Sequence, residues 1–148
     1  MKISTRARYG TRALLDLALH QAEAPVSLKD IAKRQEISLQ YLEHLVTPLI
    51  TAGMVRSVRG PKGGITLAKS PAKITMSEII QLLEGSTALV ECVDNPKLCP
   101  RADSCVTRDI WTEVKDAVNG VLDSTTLQNL IEREEKKRKT PKQEMYYI

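Results

Sequence analysis

SLKDIAKRQEISLQYLEHLVTPLITAG, residues Ser27 to Gly53, reads as two short helices joined by a tight link. Ser27-Leu-Lys-Asp30 has the form of a capping box and opens a helix with Leu28, Ile31 and Ala32 facing inward. After Gln35-Glu-Ile37, Ser38 can cap a second helix with apolar positions Leu39, Leu42, Leu45, Val46 and Leu49, and Gly53 ends it as a left-handed cap. Two short helices with the second capped in this way are the sequence form of a helix-turn-helix. Gln40, Tyr41 and His44 fall off the apolar face, where their side chains can hydrogen-bond base edges or phosphates. Pro48 lies inside the second helix and removes the amide that would bond the His44 carbonyl. Such a proline costs ~3 kcal/mol, so the sequence predicts a kink or an early end near Thr47.

Upstream, Thr5 to His20 reads as a helix, with Leu14, Leu17 and Ala18 on one face and Arg6, Arg8 and Arg12 largely elsewhere. Downstream, Met54 to Val58 and Ile65 to Ala68 read as strands around Arg59-Gly-Pro-Lys-Gly-Gly64, a hairpin with a basic tip. A flexible turn accounts for the glycines but not for Arg59 and Lys62. The loop is also a poor phosphate cradle, since no Lys-Ser/Thr follows to open a helix. A helix-turn-helix followed by a two-stranded hairpin is a winged helix.

Thr75-Met-Ser-Glu78 is another capping box, starting a helix with Ile79, Ile80, Leu82 and Leu83 that ends at Gly85. A cysteine segment without regular periodicity follows. From Val106 to Leu122 the pattern is helical, with Ile110, Trp111, Val114, Ala117, Val118, Val121 and Leu122 apolar. So wide a stripe beyond an apparently complete domain suits a helix shared between two subunits, with packing back onto the winged helix as the alternative. Leu127, Leu130 and Ile131 suggest a last short helix. The predicted organisation is a winged-helix DNA-binding domain over 1–85, a cysteine loop over 86–106, a long dimerisation helix with a short packing helix over 107–131, and a mobile charged tail over 132–148.

Length and composition agree with a mostly α chain, either one domain or a small domain with an appended segment. Hydrophobic residues make up 42% but aromatics only 3%, with no Phe, so Leu, Ile, Val and Ala must do the packing. Residues 1–73 carry 12 Lys/Arg against 5 Asp/Glu, and the remainder carries 10 against 13. A basic first half points to a polyanion, most often nucleic acid, although charge blocks are also ordinary solvated surface. No apolar run is long enough to span a bilayer, and the expectation is a cytoplasmic protein without a membrane partner. Two histidines at unrelated sites and no nucleophile–base arrangement argue against an enzyme.

All three cysteines lie in CVDNPKLCPRADSC, as Cys92, Cys99 and Cys105 with spacing C-x6-C-x5-C. An odd count without a secretory signal argues against a disulfide scaffold. The spacing is neither the C-x2-C pair of a zinc ribbon nor the close run of bacterial ferredoxins. Taken alone, it leaves metal binding, a redox pair and chance all open.

MKISTRARYGTRALLDLA at the start, ISLQYLEHLVTPLITAGMVRSVRGPKGG in the middle and three cysteines followed by Ile110-Trp111 are together specific. They resemble the iron–sulfur winged-helix transcription regulators of the IscR and NsrR type, over the chain to about Leu130. The resemblance implies a homodimer on a palindromic double-stranded DNA operator, with reading helices in successive major grooves and wings at the minor groove. It implies that Ser38, Gln40, Tyr41 and Glu43 face the major groove and that Arg59 and Gly60 lie at the minor groove; Lys62 and His44 are added on chemistry alone. It further implies that Cys92, Cys99 and Cys105 hold an iron–sulfur cluster, 2Fe-2S first and 4Fe-4S second, which modulates operator binding.

The chain departs from that family at the fourth ligand. Arg108 stands where many members have a histidine, and Arg8 where others have an acid. Guanidinium stays protonated and is a very poor ligand. Glu91, Asp94, Asp103, Asp109, His20 or a small-molecule thiol remain as donors. The competing functions are a small iron–sulfur carrier or electron-transfer protein, and a zinc or thiol-switch winged-helix regulator without iron.

Overall fold

Ser4 opens the first helix, α1 (Thr5–His20), by accepting a hydrogen bond from the Ala7 amide. The computed structural model describes residues 2–22 and 24–140. One side of α1 is buried through Ala7, Gly10, Ala13, Leu14, Asp16 and Leu17, and four other helices and one wing strand pack against it. At Gly10 a side chain would collide with Leu83, so the glycine sets how closely α1 meets the fourth helix.

Helix α2 (Leu28–Gln35) is capped by Ser27, which accepts from the Lys29 amide, one residue earlier than a capping box would use. Its end turns at Glu36, which is left-handed at φ 54° and donates its amide to the Ala32 and Lys33 carbonyls. That single residue makes the link tight. Ser38 then caps α3 (Leu39–Thr51) through the Tyr41 amide.

Pro48 does not end α3 near Thr47; the helix continues to Thr51. Three buried neighbours, Leu45, Val46 and Leu49, hold the turn in place from the core side. The carbonyl that loses its partner belongs to exposed His44, where water can replace the missing amide. Thr47 and Thr51 hydroxyls also donate to the Glu43 and Thr47 carbonyls, adding bonds around the proline. Packing overrides local propensity here.

Strands β1 (Val55–Val58) and β2 (Gly64–Leu67) pair antiparallel, with Val55 opposite Leu67 and Val58 opposite Gly64. Val26 adds a bridge on the other side of β2 by exchanging both backbone hydrogen bonds with Ile65 at 2.9 Å, which ties the wing to the entrance of α2. Helix α4 (Met76–Leu83) has the expected capping box, with Thr75 and Glu78 each bonded to the other's backbone amide.

The cysteine segment folds as a one-turn helix, α5 (Glu91–Asp94), and two 3-10 turns at Pro96–Leu98 and Ala102–Ser104. The long helix α6 (Val106–Ser124) follows, then α7 (Leu127–Lys139). Leu127 is fully buried in the core, and its amide bonds the Ile74 carbonyl at 2.8 Å. Met76 returns the bond to Thr125, also at 2.8 Å, so the start of α7 is stitched to the start of α4.

The charged stretch expected to be a mobile tail is helical as far as Lys139. Thr126 and Asn129 form a reciprocal cap at its start, and Glu134 pairs with Arg138 one turn apart. These polar devices stabilise a helix that has no apolar period to announce it. The rest of that stretch, from 141, lies outside the described residues.

No residue of α6 is buried. Leu122 packs on the core, and Val118 lines a hollow with Ile3, Ile80 and Leu89. Val106, Ile110, Trp111 and Val121 are 77, 52, 38 and 65% exposed. Packing within the chain therefore uses only one side of the apolar stripe. Among the described residues no helix is long and apolar enough to cross a membrane.

Candidate nucleic-acid interface and cysteine loop

The first two turns of α3 carry Ser38, Gln40, Tyr41, Glu43 and His44. Ser38, Gln40, Glu43 and His44 are exposed, while Tyr41 is half-buried. The wing tip carries Arg59, Gly60 and Lys62, all exposed. Gly60 sits at φ 115°, which only glycine adopts freely, and its carbonyl accepts from the Gly63 amide at 2.9 Å to close the tip. The reversal that ends α3 also starts the wing: the Met54 amide bonds the Leu49 carbonyl at 3.0 Å, and Ala68 bonds Met54 at 2.8 Å. Helix α3 and the wing are thus fixed to one junction.

A group of residues that sequence reasoning missed joins α1 to the last turn of α2. Asp16, 2% exposed, lies on the buried side of α1 and accepts from Arg34 through Nε (3.0 Å) and Nη2 (2.6 Å). Gln35 donates from Nε2 to the same carboxylate at 2.8 Å. Arg12 donates to the Gln35 side-chain oxygen at 3.1 Å and to its backbone carbonyl at 2.7 Å. The Arg12 guanidinium also lies 5.3 Å from the Tyr9 ring centre, and Tyr9 meets Tyr41 edge-on at 6.2 Å. Burial pushes the Asp16 carboxyl up, but the bonds from Arg34 and Gln35 with the charges of Arg34 and His20 bring it below the ordinary 3.8. The available signal was an acid between Leu14 and Leu17 in an otherwise apolar face.

All three cysteines are free and half-buried. Cys105 is the residue that caps α6, with Sγ 3.2 Å from the Thr107 hydroxyl. That hydroxyl, then the Arg108 amide, draw the thiol below its usual range. Arg108 is no ligand: its Nε donates to the Cys92 carbonyl at 3.0 Å. Of the other candidate donors, Asp94 is paired with Lys115 at 2.6 Å. His20 is held by the Asp16 carbonyl at 2.7 Å, beside α2. Glu91, Asp103 and Asp109 are exposed.

Three soft thiols in one short segment suit an iron–sulfur cluster chemically. Their placement does not itself form a site. Among the described residues, no three His, Cys, Asp or Glu side chains stand together closely enough to hold a metal ion.

A helix-turn-helix joined to a two-stranded wing, in a chain similar to known transcription regulators, defines a winged-helix DNA-binding transcription regulator. Residues 3–133 match the family described as Rrf2, iron-dependent transcriptional regulator, and the chain belongs to that family. It is 46% identical over 131 residues to Protein rrf2 of Nitratidesulfovibrio vulgaris, covering 88% of this chain and 87% of the relative. The structure of IscR of T. potens superposes with a TM-score of 0.77 at 40% identity, covering 99% of this chain and 97% of that one. The structure of CymR, the global cysteine regulator of B. subtilis, gives 0.76 at 43% identity, covering 90% and 98%. These relatives are regulators, not enzymes.

Proposed function

We propose that this protein is a dimeric regulator that binds a palindromic operator and whose affinity responds to the state of Cys92, Cys99 and Cys105. Ser38, Gln40, Tyr41, Glu43 and His44 present donors and acceptors toward base edges in the major groove. Arg59 and Lys62 approach the electronegative minor groove or its phosphates, and Gly60 lets the backbone come close. Glu43 either accepts from a cytosine amino group or weakens binding to wrong sequences. The exposed side of α6 covers its counterpart in a second copy, which sets two reading helices at fixed spacing.

The observation that carries this reading is the position of the cysteine segment. It ends at Cys105, the residue that opens the helix with the uncovered apolar side. Chemistry at the Cys105 thiol is therefore one peptide bond from the start of the proposed dimer helix. Cys92, Cys99 and Cys105 would hold an iron–sulfur cluster; when bound, it supplies an oxidisable and removable link among their sulfurs. A change in DNA affinity then requires the two states to differ in the placement of the reading helices.

A second reading, a thiol-responsive regulator without iron, is favoured by the three thiols not standing together as ligands and by the likeness to CymR. Anaerobic reconstitution separates the two. The cluster reading expects stoichiometric iron and sulfide in the parent chain, lost in each Cys→Ala variant. Equal, negligible iron in all four chains would leave the thiol reading.

A further inference from the structure

We propose that Asp16 is a positioning residue for DNA reading, fixing the orientation of α3 from the buried side of α1. The inference rests on α3 being the reading helix and adds what holds it in register. Arg34 grips the Asp16 carboxylate with Nε at 3.0 Å and Nη2 at 2.6 Å. Two donors from one planar group fix rotation as well as distance, which a single contact cannot do. Arg34 and Gln35 form the last turn of α2, immediately before the left-handed Glu36 that starts the link to α3. The carboxylate therefore anchors the hinge point of the helix-turn-helix.

The chain of contacts continues to the reading helix itself. Gln35 donates to Asp16 from Nε2 at 2.8 Å and accepts from Arg12 on Oε1 at 3.1 Å. Its amide must present its nitrogen to the acid and its oxygen to the cation, so the two neighbours fix it together. Arg12 in turn lies over Tyr9, and the Tyr9 ring meets Tyr41 on α3. Asp16 thus bears on α3 from two sides, through the link at Glu36 and through the Tyr9–Tyr41 contact. A pair with one buried and one partly exposed partner is a weak source of net stability, but it is directional. Orientation is what base readout needs, whereas attraction to phosphates depends mainly on the number of cations.

The test uses the full-length protein, a duplex enriched by in vitro selection and a random duplex of the same length, with affinities read by fluorescence anisotropy at matched salt. For Asp16→Asn the selected duplex should bind about tenfold more weakly, the scale of one lost base contact. Affinity for the random duplex and the salt slope should stay within twofold, because the surface cations are unchanged. A proportional loss on both duplexes would mean a smaller folded fraction and overturn the proposal, as would no change on either. Should Asp16→Asn fail to fold, Arg34→Lys keeps the charge and removes the fork. It should show the same loss of preference, and parental preference in that variant overturns the proposal. A parent chain that binds both duplexes equally would overturn the reading-helix assignment itself, a result distinct from any variant's behaviour.

Discussion

Arg108 clasps Cys92: its guanidinium Nε donates to the cysteine's carbonyl oxygen at 3.0 Å, joining the first turn of α6 to α5 across the cysteine segment. The residue that takes the place of an expected histidine ligand therefore holds the ends of the segment together.

Arg108→Ala should release that clasp while leaving the winged helix folded. Hydrogen exchange across 92–105 is expected to rise, with a stability change of about 1 kcal/mol or less. Unchanged exchange in that segment would show that other contacts hold it.

At the wing, Arg59→Ala should weaken binding to a selected operator by ~1–3 kcal/mol without altering the fold, since Arg59 is exposed and outside the strands. Anisotropy titrations over a salt series should also show steep loss of binding for the parent chain as counterions are released. Equal affinity of variant and parent at matched salt would remove the wing from the interface.

Ile110 is 52% exposed on α6, so a charge there should cost the single folded chain little, about 0.5 kcal/mol or less. Ile110→Glu should shift sedimentation velocity toward monomer and weaken operator binding through loss of paired half-sites. A stable dimer of parental affinity would place the subunit contact elsewhere.

Acid stability should depend on Asp16 and Glu78, whose carboxyls lie below their ordinary 3.8 and 4.5. Glu78 is lowered chiefly by the hydrogen bond from the Thr75 amide. Lowered carboxyls bind protons less readily in the native chain than in the unfolded one, so stability rises with pH through the window. Their contribution is complete above the ordinary values and is lost as pH falls through the lowered native ones. Thermal unfolding followed from about pH 6 to pH 2.5 should show this decline, and Asp16→Asn should flatten it.

Most of the fold was legible because its signals are local. Ser38, Thr75 and Glu78 are caps that act within one turn, and Gly60 marks a turn by its own backbone. The wing strands were found to within a residue because alternation and turn residues bound them on both sides. What stayed hidden depends on distant partners. Asp16 and Arg34 are 18 residues apart, and nothing in either neighbourhood says they meet. Pro48 was misread for the same reason: the packing of Leu45, Val46 and Leu49 that carries the helix past it is a tertiary fact. The cysteine segment gave its chemistry at once, through residue type, but its arrangement has no period to read.

Leu127 has a bearing on how the protein is made. Chains leave the ribosome from the N-terminus at roughly 5–20 residues per second, and a domain can close only when its core residues have all emerged. Here a fully buried core residue comes after the whole of α6. A nascent chain holding only the helix-turn-helix and wing has a gap where Leu127 belongs, and the Ile74 carbonyl lacks its amide partner. The core of the winged helix is therefore completed only after the cysteine segment and α6 have been synthesised. Translation order thus places the last core residue of the winged helix behind both the cysteine segment and α6.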